Sequence, residues 1–197
     1  MYKIGVLGLQ GAISEHVSRL KELKQQPVVV KKTTDLHQLD GLIIPGGEST
    51  AIWKLIEENQ LFQPIQNFAN DGKAIFGTCA GLVLLSKATI GRDCTPTLQL
   101  MDITVQRNGF GRQKDSFESK IQVQYMKESY HAVFIRAPYI ESVGEGVEVI
   151  ASYDDKIVAA RQKNYLVCAF HPELTDDDRF LEMFINMISS SKNINHV

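Results

Sequence analysis

Apolar residues along this chain come in short runs separated by stretches of helical spacing. Lys3 to Leu9 is mostly apolar and suits a strand buried on both faces. Ile13, Val17, Leu20 and Leu23 then share one helical face, with Glu15, Arg19 and Lys21 elsewhere. Pro27 opens a second strand, Val28–Val30, and Asp40–Gly41 precedes a third, Leu42–Ile44, stopped by Pro45-Gly46-Gly47. Ser49 or Thr50 can cap a helix carrying Ile52, Leu55 and Ile56. A further helix covers about Phe62 to Ala69, and Asp71–Gly72 turns into a strand that ends at Cys79. The apolar run Leu82–Leu85 follows as the next helix.

From about Thr104 to Tyr153 the rhythm changes. Apolar residues alternate in Ile103–Val105, Ile121–Tyr125, Val133–Ile135 and Val147–Val149, as in hairpins or edge strands added to the sheet. Lys156–Ala160 and Tyr165–Phe170 read as two more strands joined at Lys163–Asn164. Phe180, Met183, Phe184 and Met187 mark a C-terminal amphipathic helix, and Ser189–Val197 a frayed or solvated tail. The expected fold is α/β: a three-layer, flavodoxin-like, mostly parallel sheet with helices on both faces and antiparallel edge strands. In such a sheet ligands gather at the carboxyl ends of the strands. Gly46-Gly47, Cys79 and the residues after Phe170 should therefore share one rim.

At 197 residues the chain suits one domain, 1–197. Its 21 basic and 23 acidic residues leave no electrostatic footprint for nucleic acid or an anionic membrane. No apolar run approaches the roughly 20 residues that span a bilayer. The N-terminus runs straight into a strand pattern without a signal-peptide layout. Three cysteines, Cys79, Cys94 and Cys168, without CxxC spacing argue against a disulfide framework and a zinc site. A cytoplasmic, reducing setting is the expectation.

Against that background Gly77-Thr78-Cys79-Ala80-Gly81 stands out. A strand, small residues, a nucleophile and then a helix form the layout of a nucleophile elbow, with sulfur in place of the serine hydroxyl. A helix starting at the cysteine also favours a thiolate. A buried structural cysteine is the other reading of the residue alone. Phe170 is followed by His171-Pro172-Glu173, which offers a base and an acid to orient it. In an extended segment both side chains would point the same way. An oxyanion hole could use the Ala80 N–H and an N–H of the Pro45–Thr50 loop. That loop lacks the lysine of a phosphate-binding P-loop. Arg107, in a glycine-broken turn, and Arg136, at a strand end, are surface arginines or carboxylate ligands.

Six blocks taken in order carry a resemblance over nearly the whole chain: Gly8–Ala12 with Glu15-His16, Pro45–Thr50, Gly77–Gly81, Arg107-Asn108 with Phe110–Gln113, Phe134–Pro138, and Phe170–Thr175. They resemble class I glutamine amidotransferases, and within them the glutaminase subunits of pyridoxal 5′-phosphate synthase. Gly109 departs from the serine more usual there. The resemblance implies that Cys79 attacks the glutamine side-chain amide, with His171 as base and acid and Glu173 orienting it. It implies an oxyanion hole at Gly47 and Ala80, and glutamine held by Gly47, Glu48, Ser49, Arg107, Ile135 and Arg136. Ammonia would pass to a separate (β/α)₈ barrel synthase subunit in an equimolar hetero-oligomer. Pyridoxal 5′-phosphate would be the product of that complex, and this chain would need no cofactor or metal. The glutaminase would be weak alone, with docking completing the oxyanion hole near Gln10 and the Gly46–Gly47 peptide. The N-terminal helix near Glu15 and His16 is the candidate interface. A related α/β cysteine enzyme, such as a gamma-glutamyl hydrolase or a peptidase with the same elbow, and a non-catalytic module that keeps the fold are the competing readings.

Overall fold

A computed structural model describes residues 1–91, 94–111 and 115–194. Arg112 and Gln113 of the fourth sequence block lie outside the described residues. Five parallel strands form the half of the sheet that carries the rim. They are β1 (Lys3–Leu7), β2 (Gln26–Val30), β3 (Gly41–Ile44), β4 (Ala74–Thr78) and β12 (Tyr165–Cys168), in the order β2-β1-β3-β4-β12. Every residue of β3 and β4 is buried, which explains why they are unbroken apolar runs and not alternating ones. Pro27 sits inside β2 and not at its start, opposite Ile4. It is tolerated because β2 is an edge strand with one side free of ladder bonds.

Helix α1 (Ile13–Glu22) returns the chain from β1 to β2, whereas α2 (Ser49–Glu58) and α3 (Phe62–Asn70) carry it from β3 to β4 in the opposite direction. Right-handed crossovers running in opposite directions place helices on both faces of the sheet. Helix α4 (Ala80–Leu85) starts directly behind the elbow, and all six of its residues are buried. The C-terminal helix α5 (Arg179–Ile194) packs Phe184 and Ile188 under β3 at Gly41, where a Cβ would meet both. Phe180, Leu181, Phe184 and Ile188 are its buried face, and Met183 and Met187 only flank it. The helix continues through Ser189–Ile194, so that stretch is not the solvated tail its polarity suggests. Ser190 and Ser191 return hydrogen bonds to the carbonyls of Asn186 and Met187, one turn back.

The sheet then turns antiparallel. β11 (Lys156–Gln162) pairs with β12, with β10 (Glu148–Tyr153) and with β9 (Tyr139–Val143). β9 pairs antiparallel with β6 (Met101–Gln106), and β6 pairs in parallel with the edge strand β5 (Ser86–Ile90). Strands β5 and β9 have little sequence signal: Ser86–Ile90 is exposed over most of its length, and Tyr139–Val143 buries Ile140. β7 (Ser116–Ile121) and β8 (Tyr130–Ile135) form a separate two-stranded sheet. They are not edge strands of the main sheet, and Val123–Tyr125 continues neither, apart from a single bridge from Val123 to Ala151. This ribbon is fixed from inside by aromatic contact. Phe117 stacks on Phe134 with ring centroids 4.6 Å apart, and Phe134 meets Phe170 edge-on at 5.6 Å.

Candidate active site

Strands β3, β4 and β12 are neighbours and run parallel, so the loops that leave them open on one rim, as expected. The first loop is Pro45–Glu48, the second is the elbow at Cys79, and the third is His171-Pro172-Glu173. Cys79 has φ +49° and ψ −101°, a conformation costly for any residue with a side chain. The turn is enforced from both sides. The Cys79 N–H donates to the Cys168 carbonyl at 2.8 Å, and α4 lies so close to the sheet that a Cβ at Gly81 would collide with the Ile44 carbonyl. A Cβ at Gly77 would in turn meet the Gly81 backbone. Small residues on each side of the cysteine are thus a packing requirement.

His171 closes the rim from β12. Its N–H donates to the Val133 carbonyl at 2.9 Å, which ties it to β8. Its Nδ1 lies 2.7 Å from Glu173 Oε1. The link between them is a 3₁₀ turn over Pro172–Leu174, and not the extended segment that the i, i+2 spacing suggests. Pro172 sits at the first position of that turn, where its missing N–H costs nothing. Glu173 is only 4 % exposed. Burial works against its charge, but His16 and His171 outweigh it and hold its carboxyl below the usual carboxylate range. Burial also disfavours charge on His171. Hydrogen bonding to the Cys79 sulfur and to Glu173 overcomes this and raises its pKa to about 10.

Gly47, Glu48, Ser49, Cys79, Ala80, Arg107, Ile135, Arg136 and His171 line one cleft of about 540 Å³, and Glu173 lies beneath its floor. The structure therefore brings together every site residue expected from the sequence. Asn108, Val83 and Pro138 complete the lining and carry no signal in their residue types. Three non-glycine residues of this cleft have positive φ: Cys79, Asn108 at +48° and Arg136 at +43°. Such conformations concentrate where a fold holds groups for a ligand. Arg136 is pinned by its N–H to the Asp115 carbonyl at 2.6 Å, and the preceding carbonyl, of Ile135, lies 3.8 Å from the Cys79 sulfur.

The cap of α2 differs from expectation. Glu48, and neither Ser49 nor Thr50, holds the helix start, its carboxylate accepting from the N–H groups of Thr50 at 3.1 Å and Ala51 at 2.7 Å. Glu48 also takes the Thr50 hydroxyl and pairs with Arg107 Nη2 at 3.2 Å. Arg107 Nη1 in turn donates to Thr95 Oγ1 at 2.8 Å. One carboxylate thus ties the glycine loop to the arginine loop across the cleft mouth.

His16 is fully buried, so it is no docking surface on α1; the adjacent Glu15 is the exposed residue. His16 shares the inward face of α1 with Leu20, one turn on. Above it, the Ala12 N–H donates to the Gly46 carbonyl at 3.1 Å, and the Glu48 N–H donates to Gln10 Oε1 at 2.9 Å. Among the described residues no cluster of three or more His, Cys, Asp or Glu could hold a metal ion, and no helix is long and apolar enough to cross a membrane.

Known proteins are similar to this chain over nearly its whole length. A family model described as the SNO glutamine amidotransferase family covers residues 6–190. A pyridoxal 5′-phosphate synthase subunit PdxT of Oceanobacillus iheyensis is 88% identical over 196 residues, spanning 100% of this chain and 98% of its own. The protein of the same name from Geobacillus thermodenitrificans is 53% identical over 195 residues, 99% of this chain and 100% of its own. A solved glutamine amidotransferase superposes with a TM-score of 0.90 at 43% identity, covering 94% of this chain and 98% of that one. PurLQS from Thermotoga maritima, at 14% identity and a TM-score of 0.65, shares the fold. With the cleft, the elbow and the glycine loop all inside the matched span, the chain belongs to the SNO glutamine amidotransferase family.

Proposed function

We propose that this chain is a single glutaminase domain that hydrolyses L-glutamine to L-glutamate and ammonia at Cys79. The observation that carries this reading is the buried His171–Glu173 pair, bonded at 2.7 Å in the same cleft as a cysteine held at positive φ. In outline, the Cys79 thiolate forms a bond to the side-chain carbonyl carbon of glutamine. The oxygen takes up negative charge facing the N–H groups of Gly47 and Ala80. As the first residue of α4, Ala80 has no carbonyl one turn back in the helix to bond. In a trans peptide the Gly47 N–H points opposite to the Gly46 carbonyl, which is turned toward Ala12.

The imidazolium of His171 gives its proton to the departing nitrogen, the C–N bond breaks, and ammonia leaves a γ-glutamyl thioester. His171, now neutral, takes a proton from water as that water attacks the thioester carbonyl. The C–S bond breaks, and glutamate and the Cys79 thiolate return with His171 charged. Glu173 fixes the His171 tautomer and balances its charge throughout. Arg107 and Arg136 offer cations for the α-carboxylate of glutamine, and Glu48, Ser49 and the Ile135 carbonyl offer acceptors for its α-ammonium.

The names of relatives, pyridoxal 5′-phosphate synthase subunits, support a reading in which the reaction belongs to an assembly. The ammonia passes to a (β/α)₈ barrel synthase subunit in an equimolar cytoplasmic complex, where it is built into pyridoxal 5′-phosphate. That ring is then a product, and this chain uses no cofactor. Ammonia release from glutamine, measured with and without the barrel subunit, tests the reading. Release that rises on adding the barrel and vanishes in Cys79→Ala is the expected result. Full release by Cys79→Ala, or poor turnover of glutamine beside good turnover of a γ-glutamyl peptide, overturns it.

A further inference from the structure

We propose that His16 is a positioning residue for the triad, its Nε2–H holding the second carboxylate oxygen of Glu173 so that the first stays aligned on His171. The inference rests on the glutaminase reading for its kinetic readout, and on this chain's own geometry for the rest. Glu173 has two oxygens to satisfy in a buried place. Oε1 takes His171 Nδ1 at 2.7 Å. Oε2 has no hydrogen-bond partner, and His16 Nε2 lies 3.4 Å from it. Both side chains are wholly buried, where an unmatched polar atom is costly.

The tautomer of His16 follows from its surroundings. Nε2 lies 3.4 Å from the carboxylate and 3.3 Å from Thr78 Oγ1, while Nδ1 is buried without a partner. With the proton on Nε2, the ring can donate to Thr78 Oγ1 while presenting its positive end to the carboxylate, and leaves only a lone pair unmatched. With the proton on Nδ1, a lone pair would face a carboxylate and a buried N–H would go unsatisfied, which costs more on both counts. Burial keeps His16 neutral, against the pull of Glu173. The ring therefore acts as a fixed dipole and not as a second cation. Thr78 is the residue before Cys79, so His16 joins the acid of the triad to the strand that carries the nucleophile. None of its atoms lines the cleft, so it acts through Glu173 and His171.

The test uses the chain together with the barrel subunit and two variants. His16→Leu keeps the volume and removes the donor; His16→Gln keeps an N–H₂ that can reach the position of Nε2. Glutaminase kcat should fall roughly 10- to 100-fold in His16→Leu, as when other outer partners that orient a histidine are removed. KM should change by less than about threefold, because the ring does not touch the substrate. His16→Gln should recover most of the loss. Equal kcat in His16→Leu and the parent chain, equal losses in Leu and Gln, or a change confined to KM each overturn the proposal. Should His16→Leu not fold, His16→Asn replaces it, since its amide is too short to reach Glu173.

The ring titration of His171, followed by NMR on the chain alone, gives a readout independent of glutamine turnover. The groups facing that ring are Cys79, Glu173 and, behind Glu173, His16. Loss of the His16 donor should move the titration to lower pH in His16→Leu, with His16→Gln close to the parent. An unmoved titration in His16→Leu contradicts the proposal even if the parent chain proves not to be a glutaminase.

Discussion

Cys79 is held in a strained turn by neighbours that leave no room for a Cβ, and this gives the two glycines near it different predicted costs. Gly81→Ala would drive a methyl into the Ile44 carbonyl, a backbone atom that cannot rotate away. Overpacking of this kind costs roughly 1–3 kcal/mol, and urea unfolding should show at least that loss. Gly46→Ala would instead meet the His171 ring, which can shift. Its expected signature is kinetic: a misplaced base with a fall in kcat of about 100-fold, and a small change in Tm. Glu48→Ala removes the cap of α2 and the partner of Arg107 together. It should cost about 1 kcal/mol of stability and raise KM for glutamine, read by thermal melting and initial rates. The need for small residues at 77 and 81 was legible in the sequence. The cap was not, because Ser and Thr are the commoner cap residues and nothing local tells that Glu48 folds back onto its own helix.

At the scale of elements, α1 meets the site twice. Its N-terminal approach, at Ala12, holds the Gly46 carbonyl, and its first full turn brings His16 Nε2 within 3.4 Å of Glu173 Oε2. The Arg19 guanidinium fastens the same helix to the segment beyond the acid, through Asp178 at 2.7 Å and Asp176 at 3.2 Å. The periodicity of Ile13, Val17 and Leu20 locates this helix, but the sequence assigns His16 to the candidate docking interface and not to the inner face it occupies. Only the fold places a carboxylate from 157 residues later in the chain (Glu173) against that ring. The 3₁₀ turn after His171 was hidden for a similar reason: a Pro in H-P-E suits an extended link and the first position of a turn equally. Strands β5 and β9 escaped because each shows the core little apolar surface.

For the whole molecule, the parallel half of the sheet was readable because strands buried on both faces are continuous apolar runs. The antiparallel half and the β7–β8 ribbon were not separable by alternation alone, since both show one face to the core. Their separation depends on which partners the aromatic cluster draws in. The buried acid also sets a pH dependence for the molecule as a whole. Glu173 titrates below its ordinary 4.5 in the fold, so its ionised form contributes stability above that value. That contribution is lost as pH falls through the folded-state value. Melting temperatures taken from neutral pH down to about pH 3 should therefore fall less steeply in Glu173→Gln than in the parent.

The glutaminase reading turns on glutamine reacting at Cys79. The chain offers its own internal controls in exposed Cys94 and fully buried Cys168. A chloroketone analogue of glutamine, followed by peptide mass spectrometry, is the most direct measurement. The expected result is a single label on Cys79, slowed by added glutamine and matched by loss of ammonia release. Labelling at Cys94 in preference to Cys79, or labelling of Cys79 that glutamine does not slow, would contradict it.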